Sequence, residues 1–200
     1  MKIHALFPTA VIQSSLDRCL TNEESDFFSK DIEFVKAVGN FTSRDKHILD
    51  DPKLFSLKKD LTKKLQEYID TIYKPVNRVE AYITQSWISV TPPGGHHHTH
   101  KHPNSFLSGV FYLDVDEKLD KINFISDEYT TVYVESKEWD DYNSFHWCIN
   151  VHPYSVVVFP SSLSHNVPDT SNPNNRVSLA FNSFISGEMG CEEDLTYLKL

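Results

Sequence analysis

Five of the chain's ten histidines fall between His96 and His102, in the stretch "GGHHHTHKHP". Imidazole is a nitrogen ligand that is largely neutral near pH 7, so a cluster of this density is first of all a candidate metal site. His100 and His102 are two apart. In extended backbone, residues i and i+2 project to the same side, and both rings could approach one ion at about 2.0–2.2 Å. His98 and His100 have the same spacing, so the register 98/100 or 100/102 stays open; in the second, His96, His97 and His98 are rim residues. His165 follows the apolar run "SVVVFPSSLSH" and could bring a third ligand from the end of a buried strand. The bland alternative is a solvated histidine loop without a role.

Arg176 comes eleven residues after His165, in "RVSLAFN". In a strand, Arg176, Ser178, Ala180 and Asn182 share one face. An arginine turned into a small β core is costly unless it meets an anion. A guanidinium with a neighbouring hydroxyl suits a carboxylate. The strand after the histidines puts Ser108, Val110 and Tyr112 on one face, so Tyr112 could add a phenol to the same anion, and Ser108 joins the candidates for that site. A surface arginine in a salt bridge is the competing reading for Arg176. Metal ligands beside a carboxylate cradle point to a metal-chelating dicarboxylate.

Such residues need elements to hold them. Before residue 78 helical patterns dominate. "TNEESDFFSKDIEFVKAV" opens with the capping-box pair Thr21 and Glu24 and predicts a helix to about Val38. "DPKLFSLKKDLTKKLQEYIDTIY" places Leu54, Leu57, Leu61, Leu65, Ile69 and Ile72 on one stripe, the mark of an amphipathic helix started near Asp51-Pro52. After Pro75 the period becomes two. Strands are expected at 79–91, 106–115, 121–126, 130–136, 145–151, 155–159 and 176–185, separated by turns such as Pro92-Pro93-Gly94-Gly95. Short strands without interleaved helices predict a mainly β fold, a jelly roll with the N-terminal helices packed on one sheet. The expected division is a helical support at 1–78, the jelly-roll core at 79–187 and a tail at 188–200, all within one domain. Core packing is the expected role of Trp87, Trp139 and Trp147, with lining of a pocket as the alternative.

The bulk numbers set limits. The chain has 200 residues, is 40% hydrophobic and 24% charged, and carries a net charge of -9. That fits a soluble globular protein and argues against nucleic acid as partner, since no basic stripe is present. Cys19, Cys148 and Cys191 are an odd set without CxxC spacing, which reads as free thiols in a reducing compartment. The N-terminus makes a poor signal peptide and no apolar run approaches 18 residues, so a cytoplasmic protein without membrane contact is expected. A homodimer is compatible with all of this. The acidic, aromatic stretch 136–147 hints at a peptide or cationic substrate, although such loops are more often simply solvated.

The ordered set "LFPTAV", "SWISV", "HKHPNSFLSGVFYLDV", "VVVFPSSLSHNV" and "RVSLAFN" resembles the iron(II)/2-oxoglutarate-dependent oxygenases, in particular a small bacterial and phage-borne branch. The resemblance spans nearly the whole chain. It implies a double-stranded β-helix, Fe(II) as metal, 2-oxoglutarate and O2 as co-substrates, and hydroxylation of a substrate with release of succinate and CO2. It implies His100 and His165 as iron ligands, and Arg176, Ser178 and Tyr112 around the far carboxylate of 2-oxoglutarate. A phage origin would place the protein in the host cytoplasm. The chain departs from the usual two-histidine, one-carboxylate triad at residue 102. His102 is then either a third neutral ligand or a bystander beside a water. The prime substrate, a peptide or protein side chain or a small metabolite, is not specified. Two rivals are a three-histidine Zn(II) lyase or hydrolase and a jelly-roll binding module without catalysis. The zinc reading has no evident use for Arg176 and Ser178, and a binding module would purify without stoichiometric metal.

Overall fold

The computed structural model describes residues 1–30, 32–127 and 132–200. Its main sheet contains β1 (Ile12–Ser15), β2 (Phe34–Lys36), β3 (Phe41–Ser43), β4 (Val79–Thr91), β6 (Leu107–Asp114), β9 (Ser155–Pro160) and β11 (Arg176–Met189). The strand order is β1-β9-β6-β11-β4-β3-β2, and β12 (Leu198–Lys199) pairs with the far end of β11. A second sheet is built from β5 (His97–His100), β10 (Ser164–Val167), β7 (Lys121–Ile125) and β8 (His146–Asn150), in the order β5-β10-β7-β8. Neighbouring strands within both sheets run antiparallel. This is the jelly roll expected from the change of period near residue 78.

Strand alternation sorts the side chains. On β6, Leu107 and Phe111 face outward into a cluster with Val156, Val158, Leu179 and Phe181, covered by the helix α2 (Phe55–Tyr68). Tyr112, on the other parity, joins Ile122, Phe124, Val157 and Phe159 between the two sheets. The amphipathic stripe behaves as the spacing predicts over four turns: Leu54, Leu57, Leu61 and Leu65 are completely buried. Asp51 caps the segment by accepting from the Lys53 amide at 2.9 Å. Ile72 departs from the expectation. The helix widens into a π turn over Ile69–Tyr73, which rotates the stripe, and Ile72 is 42% exposed.

The first predicted helix is cut short. The capping box forms, with Thr21 Oγ1 accepting from the Glu24 amide and Glu24 Oε2 from the Thr21 amide. However, α1 spans only Asn22–Phe28. The residues that follow include Phe34 and Val35, which pair as β2 with β3 around a turn at Gly39, where φ is +81°. Residues 1–78 therefore supply β1, β2 and β3 to the main sheet as well as the helices. The strand expected at 130–136 is absent over 132–136, and residues 130–131 lie outside the described residues. Trp139 and Trp147 are exposed and do not pack in the core. Trp139 lies in the connection between β7 and β8, and Trp147 on β8 itself.

Candidate metal centre and anion cleft

His165 lies within β10 and pairs directly with His100 of β5. His102 stands just beyond β5, its amide donating to Ser161 O at 3.0 Å. Each of the three offers one ring nitrogen, and these atoms all lie within 4.8 Å of one another. The backbone sets the tautomers. His100 Nδ1 lies 2.7 Å from His98 O, and His165 Nδ1 lies 2.9 Å from Leu163 O. A carbonyl only accepts, so both Nδ1 atoms carry the proton and both Nε2 atoms present a lone pair. His102 Nε2 faces His165 Nε2 at 3.2 Å.

Burial pushes the His165 imidazole down to about 3, partly opposed by its bond to Leu163 O and reinforced by the neighbouring histidines. Burial beside His100 lowers His102 to about 4. His100 is lowered as well, by burial first. Three neutral imidazoles with converging lone pairs form a donor set for a borderline divalent transition metal, and Fe(II) fits it. Among the described residues no carboxylate joins this group. A second group, His97, His98 and His100, has its ring nitrogens equally close. It shares His100, whose single free nitrogen can serve one ion at a time. His96, expected on the rim, is half-buried, with its Nδ1 3.4 Å from Asp169 Oδ1.

Facing the histidines is the inward side of β4, β6 and β11. Arg176 is only 2% exposed, its guanidinium sits over the Tyr112 ring at 5.1 Å, and its Nη1 reaches Ser178 Oγ at 3.4 Å. Arg176 Nε and Tyr112 Oη have no hydrogen-bond partner among the described residues. Burial holds the Tyr112 phenol up at about 12, against the opposing pull of Arg176, so it is a donor at neutral pH. A buried guanidinium with one N–H unpartnered, lining the cleft and stacked over a buried phenol, has the character of an anion site. Ser108 lines the same cleft, but its hydroxyl is engaged with Ser161 Oγ at 2.8 Å and Asn182 Oδ1 at 3.0 Å. It fastens β6 to β11 rather than offering a free donor.

Sequence reasoning placed Trp87 in the core; the structure puts it in the cleft wall, its ring centroid 5.8 Å from that of His102. Ser89 and Thr91 share its face of β4, and His97 lines the cleft from the other sheet. Alternation along β4 was the available signal for Ser89 and Thr91. Asn40, at the end of the β2–β3 turn, also lines the cleft, and nothing in its local sequence announced that.

Residues 85–182 match the model of a family described as "Putative 2OG-Fe(II) oxygenase". No curated protein matches the chain. Among solved structures, HygX from Streptomyces hygroscopicus, with nickel, 2-oxoglutarate and hygromycin B bound, is similar in fold. It has a TM-score of 0.61 at 11% identity, over 88% of this chain and 83% of that one. A prolyl-4-hydroxylase from Pseudomonas putida superposes with a TM-score of 0.53 at 12% identity, over 87% and 92%. AviO1 from Streptomyces viridochromogenes gives 0.57 at 10% identity, over 88% and 90%. These likenesses establish the fold, and the segment that matches the 2OG-Fe(II) oxygenase family carries both the converging histidines and the buried arginine.

Proposed function

We propose that this protein is an iron(II)/2-oxoglutarate-dependent oxygenase acting as a hydroxylase, and that His100, His102 and His165 hold its iron while Arg176, Tyr112 and Ser178 hold the far carboxylate of 2-oxoglutarate. The observation that carries the reading is the pairing of two unsatisfied sets across one cleft: imidazole lone pairs on one side, buried unpartnered donors on the other. The overall reaction is R–H + O2 + 2-oxoglutarate → R–OH + succinate + CO2. Iron, when bound, supplies the redox chemistry that couples the decarboxylation to substrate oxidation.

The chain's own residues do the rest. The carbonyls of His98 and Leu163 fix the two ring orientations. Arg176 supplies charge and direction for the dicarboxylate, and Tyr112 donates its phenol proton in a hydrogen bond without losing it. Phe159, edge-on to His165 at 4.7 Å between ring centroids, and Phe124 keep water from one side of that imidazole. Trp87 borders the cleft beside His102, where a substrate would be guided.

The prime substrate is a cationic small molecule or a basic peptide. Supporting this, the connection between β7 and β8 presents exposed Trp139 and Tyr142 among Glu138, Asp140 and Asp141, and β8 itself presents exposed Trp147. A cytoplasmic, bacterial or phage-borne setting fits three free cysteines. No helix of the described residues is long and apolar enough to cross a membrane.

The test is anaerobic titration of the Fe(II)-loaded protein with 2-oxoglutarate, followed by succinate release in the presence of cationic metabolites and peptides. A metal-to-oxoacid charge-transfer band in the wild type, weakened on the order of a hundredfold in Arg176→Ala, is expected. Tight metal binding without any affinity for 2-oxoglutarate would overturn the reading in favour of a zinc enzyme.

A further inference from the structure

The deep end of the cleft holds more donors than Arg176 and Tyr112. Asn40 is 3% exposed and Thr91 1%, and both line the cleft. Neither amide atom of Asn40 and not the Thr91 hydroxyl has a hydrogen-bond partner among the described residues. Strand register brings them to Arg176. Thr91 pairs with Arg176 across β4 and β11, and Phe41 pairs with Val90 across β3 and β4. Asn40, one residue before Phe41, therefore stands opposite Thr91. The three side chains form one row across the sheet.

The backbone at Asn40 is itself fixed. Its carbonyl accepts from the Ala37 amide at 2.9 Å, and the Gly39 carbonyl accepts from the His96 amide at 3.0 Å. A Cβ at Gly39 would come within 2.8 Å of the His96 ring, so only glycine lets the β2–β3 turn close against the strand that carries the histidines. The turn is held in place from both sides while its asparagine side chain stays unpaired. Burying an amide, a hydroxyl and a guanidinium nitrogen without a partner in the protein is unfavourable unless a bound species meets them. The composition of the set states the ligand's character. Asn40 Nδ2, Thr91 Oγ1, Tyr112 Oη and Arg176 Nε can all donate; the one obligatory acceptor is Asn40 Oδ1. Water can meet some of these groups but brings no charge to the guanidinium. A carboxylate, rich in acceptors and anionic, does both.

We propose that Asn40 and Thr91 complete the co-substrate subsite: Asn40 Nδ2 and the Thr91 hydroxyl bind the far carboxylate of 2-oxoglutarate together with Arg176. The proposal rests on the assignment of Arg176 made under Proposed function. It adds a contribution from the N-terminal β2–β3 hairpin, which lies outside the segment that the family matches. The hairpin then serves as the closed end of the cleft, and co-substrate affinity depends on its being docked.

The experiment titrates Mn(II)-loaded protein with 2-oxoglutarate by calorimetry and records melting curves with and without it. Asn40→Ala should weaken binding about tenfold, the scale of one hydrogen bond to a charged group. Asn40→Asp has the same shape but sets a carboxylate against a carboxylate, and should weaken binding about a hundredfold. Thr91→Val should cost about fivefold. Manganese affinity should hold in all three. An amide with only a structural role would lower the melting temperature equally with and without 2-oxoglutarate; the expected result is a smaller ligand-induced rise. If Asn40→Asp does not fold, Asn40→Ala and Thr91→Val decide the matter. Wild-type affinity in these variants, with binding lost in Arg176→Ala, would overturn this proposal alone. Binding retained in Arg176→Ala, or absent from the wild type, would overturn both assignments.

Discussion

His102 Nε2 and His165 Nε2 face one another at 3.2 Å, across the interval between the β5 end and β10. His165 Nδ1 is committed to Leu163 O, so its Nε2 has only a lone pair to offer. Without a metal, a neutral His102 can meet that lone pair by donating Nε2–H; with a metal bound, both nitrogens would turn their lone pairs to the ion. The depressed pKa values keep both rings free of an extra proton at neutral pH. His165→Ala should therefore lower metal affinity more than about a hundredfold, whereas His98→Ala should leave it nearly unchanged, because only the carbonyl of His98 orients His100. Competition with a chromophoric chelator measures both. Retained stoichiometric metal in His165→Ala would refute the ligand set. In the wild type, metal at about a hundred times its Kd should add about 2.7 kcal/mol of stability, visible as a higher Tm than in chelator-treated protein.

Arg176 carries a second, less intuitive expectation. A buried guanidinium without a carboxylate partner is a cost in the ligand-free state. Arg176→Met keeps the volume and removes the charge. Its ligand-free form should be at least as stable as wild type in urea, while 2-oxoglutarate no longer raises its Tm. A loss of more than about 2 kcal/mol would show that Arg176 is structurally paired in a way the geometry does not suggest.

Acid stability should report on Glu24. This buried carboxylate accepts both Nη atoms of Arg18 at 2.7 Å and the Thr21 amide at 2.8 Å. Burial pushes its pKa up, and the guanidinium and the amide outweigh this, so the folded-state value lies below the ordinary one. The sign follows: the stabilisation is complete above the ordinary glutamate range and is lost as pH falls through the lower folded-state value. Glu24→Gln should cost about 3 kcal/mol at pH 7. Urea denaturation repeated at falling pH should show the gap to wild type narrowing; a gap independent of pH would exclude the ion pair as its source.

The two ends of the helical stripe should differ sharply. Leu61→Ala empties a fully buried site and should cost about 2–5 kcal/mol. Ile72→Ala, on the π turn, should stay within about 0.5 kcal/mol. Equal effects in thermal unfolding would mean that the helix continues regularly through Ile72.

These outcomes also mark what was readable in the chain. Leu54 to Leu65 repeat at helical spacing beside lysines and acids, and one period decided their burial. Arg176 and Ser178 alternate with Val177 and Leu179, and parity alone placed the pair on the inner face. The histidines were legible as residue types but not as geometry. Spacing allows 98/100 and 100/102 equally, and what separates them is the approach of His102 to His165, a contact between residues 63 apart. The false helix beyond Phe28 shows the same limit. A good N-terminal cap starts a helix but does not say where it stops, and β2 exists because β3 is there to pair with it. Asn40 was invisible for that reason too: its neighbour across the sheet, Thr91, is distant in sequence.

The two ends of the cleft rest on strands of very different standing. β11, which carries Arg176, is flanked on both sides, matching β4 from Arg176 to Gly187 and β6 from Val177 to Asn182. β5, which carries His100, pairs among the described residues with β10 alone, at two register positions, and ends its sheet. Amide protons of β11 should exchange with solvent only when the whole molecule opens, and those of β5 through local fraying. A metal held at the frayed end can be traded with the surrounding pool while the fold stays shut, and the anion-binding floor remains ready for the next ion.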